Sequence, residues 1–347
     1  MTHSRRLPGL LVALFAIVLA ASLSDSAHAQ DQEALAMDII TADNLTGQQR
    51  NNIDSYVARH GGDLIAGEPA QLATARRALL APWGVDDATA AFRQHYRAAL
   101  AEQIDAALAS DEVLVRLNGM ILAARVELEL DEPRLLELLA DDSPAVRYWA
   151  AAAVRQLAAS GRLGSTRQQA LVAHLRPRID AEADAAVLEQ LLVALAALSP
   201  EHAAEPLLEA LNARVAGHVE APGRSVAPAH SAMQRLHRRL TEADNAPVAA
   251  RVQLSRTALR YMDALAGALA EHELDASRQR QYARGVALTD HILRTMHSGL
   301  GGGGNPPGAL TQAIEAGDWE AVRSAVGRWR TLLQQGPYNL DEADLAV

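Results

Sequence analysis

Three groups of side chains in this 347-residue chain have the types and spacing to do chemistry. Glu201, His202 and Glu205 fall within one helical turn of one another and supply half a metal site; Asp290 and His291, with His297 nearby, supply another half. Neither half has its remaining ligands in the sequence around it. Arg235, Arg238 and Arg239 occupy neighbouring turns of a helix and can hold a phosphate or an acidic protein segment. The alternative is a charged face neutralised by nearby acids. Arg278, Arg280 and Arg284 form a weaker version of the same patch. Glu127, Glu129, Asp131 and Glu132 lack the ordered alternation and glycine of a calcium loop and read as a solvated turn. Thr295 to Gly299 lacks the first glycine of a nucleophile elbow, and His-Glu-x-x-His does not occur.

Composition removes further chemistries. There is no cysteine, and all 32 basic residues are arginine. Thiol nucleophiles, disulfides, iron–sulfur clusters and Cys-based zinc sites are therefore excluded, as are Walker loops and Schiff-base lysines. The formal net charge of −10 repels phosphate backbones and argues against nucleic acid as the main partner. No cofactor is implied.

The first 29 residues have the form of a secretory signal peptide. His3, Arg5 and Arg6 make a basic start, Leu10 to Leu23 is almost wholly apolar, and Ala27-His28-Ala29 offers small-x-small cleavage ahead of Gln30. The expectation is an exported protein, periplasmic or extracellular, with no further membrane span.

The elements that must position the remaining residues are helices. No stretch shows sustained alternation of β-branched residues, whereas alanine, leucine, glutamine, glutamate and arginine recur at helical spacing. Helices are predicted over 32–42, 47–60, 69–81, 87–108, 112–128, 132–140, 144–159, 166–179, 184–198, 201–217, 227–242, 247–272, 276–297 and 318–335. Ser143-Pro144 and Asp318 are expected to cap their helices. The fold class is all-α. Residues 299–308, GLGGGGNPPG, have too much backbone freedom and too many prolines for a helix, and read as a flexible linker. The expected organisation is a helical cap over 30–86, repeats over 87–217, further helices over 218–298, and a final helix and tail over 309–347. Trp319, Val322, Val326, Trp329 and Leu333 form one stripe on that helix, with the tryptophans as docking contacts.

Three segments in the middle of the chain repeat. Val115, Gly119, Leu122 and Val126 align with Val146, Ala150, Ala153 and Leu157, and again with Val187, Leu191, Ala194 and Leu198. Each set follows an i, i+4, i+7, i+11 stripe, and each lies behind an acidic turn: Asp111, Asp141-Asp142, and Glu182 with Asp184. Residues 135–158, LLELLADDSPAVRYWAAAAVRQLA, give the fullest unit: short helix, acidic turn, Pro-x-Val-Arg, alanine-rich helix. On these residues the region over 87–216 resembles the HEAT repeat family. The third unit departs from the pattern, with Leu188 where the family has arginine.

The resemblance implies a stack of helix pairs, here a HEAT-like solenoid, and a protein that binds other proteins. It also implies that Asp111 with Arg116, and Asp142 with Arg147, pair across the turn and neighbouring repeats as a structural ladder, and that second helices line a concave face. Asn118, Trp149 and Gln190 share one register position on those helices, and Arg125 and Gln156 extend the column further along the first two of them. This column is the expected partner-binding strip, with Trp149 as anchor or, equally, as a wedge between helices. The functional expectation is a non-catalytic scaffold of the cell envelope whose partner is another protein. The alternatives are an envelope enzyme, or an anion- or small-ligand-binding protein, whose site converges from distant helices.

Overall fold

A computed structural model describes residues 34–220, 227–242, 247–308, 310–335 and 337–345; the leader and its cleavage triplet lie outside them. Every regular element among these residues is helical, so the chain is all-α. In chain order the helices are α1 (Met37–Ile40), α2 (Gly47–Ile65), α3 (Pro69–Leu80), α4 (Ala90–Leu108), α5 (Val113–Arg125), α6 (Glu132–Leu138), α7 (Pro144–Ala159) and α8 (Ser165–Ala181). There follow α9 (Ala185–Ala197), α10 (Pro200–Glu220), α11 (Ala227–Glu242), α12 (Val248–Glu271), α13 (Ala276–Gly299), α14 (Thr311–Ala316), α15 (Trp319–Leu333) and α16 (Glu342–Leu345). One 3₁₀ turn, Pro82–Gly84, follows α3. None of the helices is long and apolar enough to cross a membrane.

The helices pack as consecutive pairs, α2 with α3, α4 with α5, and so on to α14 with α15. The second members also pack on one another in an unbroken row: α3 on α5, α5 on α7, α7 on α9, α9 on α11, and α11 on α13. Of the first members, α2 meets α4, α8 meets α10 and α10 meets α12, while α12 packs on α15, the second member of the last pair. The three aligned stripes are what face inward: Val115, Leu122, Val126, Val146, Ala150, Ala153, Leu157, Val187, Leu191, Ala194 and Leu198 are all buried. Alanine matters here because a small side chain lets neighbouring helix backbones approach. Gly119 shows the limit, since a Cβ there would lie 2.9 Å from the Ala107 Cβ on α4.

Turn chemistry joins the pairs. Arg116 Nε donates to Asp141 at 2.9 Å, and its Nη1 donates to the Ser110 and Asp111 carbonyls. Arg147 repeats this one pair later, with Nε to Glu182 at 2.8 Å and Nη1 to the Asp141 and Asp142 carbonyls. Each arginine thus clamps its own turn through backbone oxygens and the next turn through a carboxylate. The Asp111 and Asp142 side chains are not the partners. Asp184 instead caps α9, accepting from the Ala186 and Val187 amides, and with Leu188 in place of arginine the ladder stops there.

Two local expectations change. Ser143 occupies the N-cap position of α7 but its hydroxyl makes no cap bond; Asp141 accepts from the Ser143 amide at 2.8 Å instead. The acidic run after α5 is exposed, as a solvated turn should be, and what changes is that its carboxylates are also bound: Glu127 pairs with Arg162 at 3.1 Å, Glu129 pairs with Arg167, and Asp131 caps α6.

At the other end, α15 buries Val322, Val326, Trp329 and Leu333, while Trp319 is only partly buried. Asp318 caps it, accepting from the Ala321 amide at 3.0 Å. The Gly299–Gly308 stretch begins inside α13, and its far end is tied down by Arg294, which donates to the Pro307 and Gly308 carbonyls.

Candidate functional site

The half-sites for metal do not assemble. His202 Nε2 lies 2.9 Å from the Ser165 hydroxyl, while Glu201 and Glu205 are exposed. Asp290 is occupied by Arg294 at 2.8 Å and accepts from Trp329 Nε1 at 3.0 Å. His297 stacks on Tyr338, whose hydroxyl is 3.3 Å from its Nδ1, and His291 turns to the His237 ring. Among the described residues no three of His, Asp and Glu are placed to share an ion. Asp290, Trp329, His297 and Tyr338 together lock the chain end onto α13.

The second-helix row is where the remaining candidates meet. Its column residues are each covered by an arginine reaching from the preceding second helix. Arg76 of α3 donates to Asn118 of α5 at 2.7 Å. The Arg125 guanidinium of α5 lies over the Trp149 ring of α7, 5.7 Å from its centroid. Arg155 of α7 donates to Gln190 of α9 at 3.3 Å. One arginine per step, each spanning to the next helix, is a lateral ladder distinct from the turn ladder.

The column is therefore not uniformly presented. Asn118 is 5 % exposed and its Nδ2 also donates to the Leu114 carbonyl, so it is an internal fastener rather than a contact for a partner. Gln190 is half-buried beneath Arg155, and Gln156 buries an Oε1 that has no hydrogen-bond partner among the described residues. Trp149 is partly buried, with Tyr148 edge-on to its ring, so it packs against the core and also keeps an open side. Arg125 is exposed. Of the two roles the sequence offered, the packing of Trp149 accords with the wedge, and its part-exposed surface leaves the anchor as a proposal.

The arginine patch of α11 extends this row. Arg239 donates to the Ala197 carbonyl at the end of α9, at 2.5 Å, and so caps its neighbour. Arg238 is exposed, and Arg235 is half-buried with Arg155, Arg238 and Arg239 as the charges acting on it. Burial and these three cations pull the Arg235 pKa below the ordinary arginine value. Burial, Arg77 and Arg125 do the same to Arg76. Among the described residues no carboxylate pairs with Arg76, Arg125, Arg155, Arg235, Arg238 or Arg239. Elsewhere Arg116, Arg147, Arg162, Arg256 and Arg330 are paired with acids, whereas Arg93 and Arg97 of the first row lie over Trp83 and bond carbonyls.

Sequence reasoning missed Arg76 and Arg155, which sit one position away from the column or outside the repeats. Their signal was an arginine late in a second helix, whose long side chain leans back toward the helix N-terminus and onto the next column residue.

No protein-family model matches the chain, and neither curated proteins nor solved structures give a match, so the HEAT resemblance has no support from relatives.

Proposed function

We propose that the protein is an exported, HEAT-like helical-repeat scaffold that binds another protein through its second-helix row, without catalysis. The observation that carries this is the open side of Trp149 under Arg125, set in a row of arginines that lack acidic partners. An aromatic anchor beside an arginine is the pairing that dominates binding energy at protein interfaces. Consecutive helix pairs with a continuous row of second members from α3 to α13 favour a HEAT-like reading over an irregular bundle. Export rests on the leader sequence and its Ala-x-Ala triplet.

A benzophenone side chain placed at position 149, in the cell that makes the protein, tests this reading. Irradiation should yield one reproducible adduct of defined mass, which is lost when the benzophenone is moved to Gln169, an exposed position on α8 in the other row. Equal adducts from both positions, or none from 149, would overturn it. Sequencing the mature protein from the same cells checks the start near Gln30.

A further inference from the structure

We infer that the occupant of the second-helix row is an extended, carboxylate-rich polypeptide segment, lying across α3, α5, α7, α9 and α11 with its acids on the unpaired arginines and an apolar side chain on Trp149. This inference rests on the binding reading above and specifies its partner. Three features lead to it.

The first is charge. A chain of net charge −10 sets cations along one row, and no carboxylate among the described residues pairs with them; Glu189 of α9 lies in the row but accepts from the Ser231 hydroxyl of α11. Arg235 faces Arg155, Arg238 and Arg239, and Arg76 faces Arg77 and Arg125. Like charges held together repel, and an anionic ligand relieves that repulsion at both ends of the row.

The second is distribution. A site for one small anion draws its donors to a point, whereas these arginines come from α3, α5, α7 and α11. Helices packed about 8–10 Å apart make five of them span roughly 35–40 Å. An extended chain rising about 3.3 Å per residue covers that distance with about a dozen residues.

The third is the one tryptophan of the row, which is partly exposed. A nucleic-acid strand uses successive aromatic platforms for successive bases. This row offers Trp149 alone, with Tyr148 turned edge-on against it. One aromatic amid arginines suits a peptide with one apolar residue among acids.

The test uses the purified full chain and a fluorescent twelve-residue peptide of alternating glutamate and serine with one central leucine, followed by anisotropy. The peptide should bind saturably, and binding should weaken as salt rises, since exposed charge pairs are screened. Arg125→Gln with Arg235→Gln and Arg238→Gln should weaken it at least tenfold while circular dichroism and melting stay unchanged. Arg134→Gln with Arg176→Gln, which removes two cations from the first row, should leave it as in wild type. Absent binding, or equal binding by the triple variant, overturns the inference. So does equal or tighter binding of a four-residue peptide, inorganic phosphate or a twelve-residue oligothymidylate, each of which assigns the row to another ligand. The two proposals fail separately. A cross-linked protein at 149 with no affinity for the acidic peptide keeps the scaffold and removes the acidic occupant. Peptide affinity without any cross-linked protein keeps the acidic specificity and removes the scaffold.

Discussion

Arg147 makes four hydrogen bonds, two to Glu182 and two to carbonyls, and the Glu182 side chain is only 6 % exposed. Burial alone raises the Glu182 pKa, but the Arg147 bond and backbone amides outweigh it, and the net shift is downward. A carboxylate depressed in the folded state contributes stability that is present above its unfolded pKa and lost as pH falls through the folded one. Glu182→Gln should therefore flatten the loss of urea resistance on acidification below about pH 4.5. At neutral pH Arg147→Gln should cost about 2–3 kcal/mol, because it leaves a nearly buried carboxylate without its counter-ion. His230 works through the opposite kind of group. Burial lowers its pKa to about 4, and its Nε2 has no hydrogen-bond partner among the described residues. The unfolded chain takes up a proton near pH 6.5 that the folded chain refuses, so stability is full above that pH and falls as pH drops from there toward 4. His230→Phe should remove that part of the pH dependence, measured as the urea midpoint between those two values.

Helix packing sets what the elements tolerate, and two glycines separate the terms. In α12, Gly267 has nothing within 4 Å of a Cβ, so Gly267→Ala gains helix propensity alone and should stabilise by about 0.5–1 kcal/mol. In α5, Gly119→Ala wins the same propensity but drives its methyl into the Ala107 Cβ, and packing strain of about 1–3 kcal/mol should decide the sign. Thermal melting of both variants checks the contrast; a stabilised Gly119→Ala would mean that α4 and α5 separate without cost. The stripe carrying Gly119 was legible in the sequence because helical period alone says which residues face inward. Element existence followed from the same period, since α2 to α13 and α15 appear close to their predicted ranges. The short α14 and α16 were not legible: four to six residues carry no period, and contacts with long helices hold them. Ladder partners were half legible. The arginines stood out in the aligned turns, but which carboxylate each reaches depends on how one pair is offset from the next, and spacing within a turn does not encode that offset.

Across the whole molecule, stability in a stack of helix pairs belongs to nearest-neighbour interfaces. The chain end covers α12 through Arg330 on Asp263, Arg323 on Glu271, and Arg256 on Asp344, with Trp329 fully buried between them and α13. Tyr338 and Leu345 add buried contacts from the last described residues. Ending the chain at Gly308 removes these interfaces and bares the apolar side of the final pair, while every contact among α4, α5, α7 and α9 remains. Hydrogen exchange should then show lost protection over 248–299 and retained protection over 90–197, with the acidic-peptide affinity of the second row reduced less than twofold. The interfaces nearest the cut fail first because α15 and α16 cover one side of α12, which then keeps only α10, α11 and α13 against it; those around Trp149 are separated from it by α10 and α11. Uniform loss of protection across both regions would instead identify one cooperative unit, and the stack would have to be read as a globular bundle whose ends sense each other.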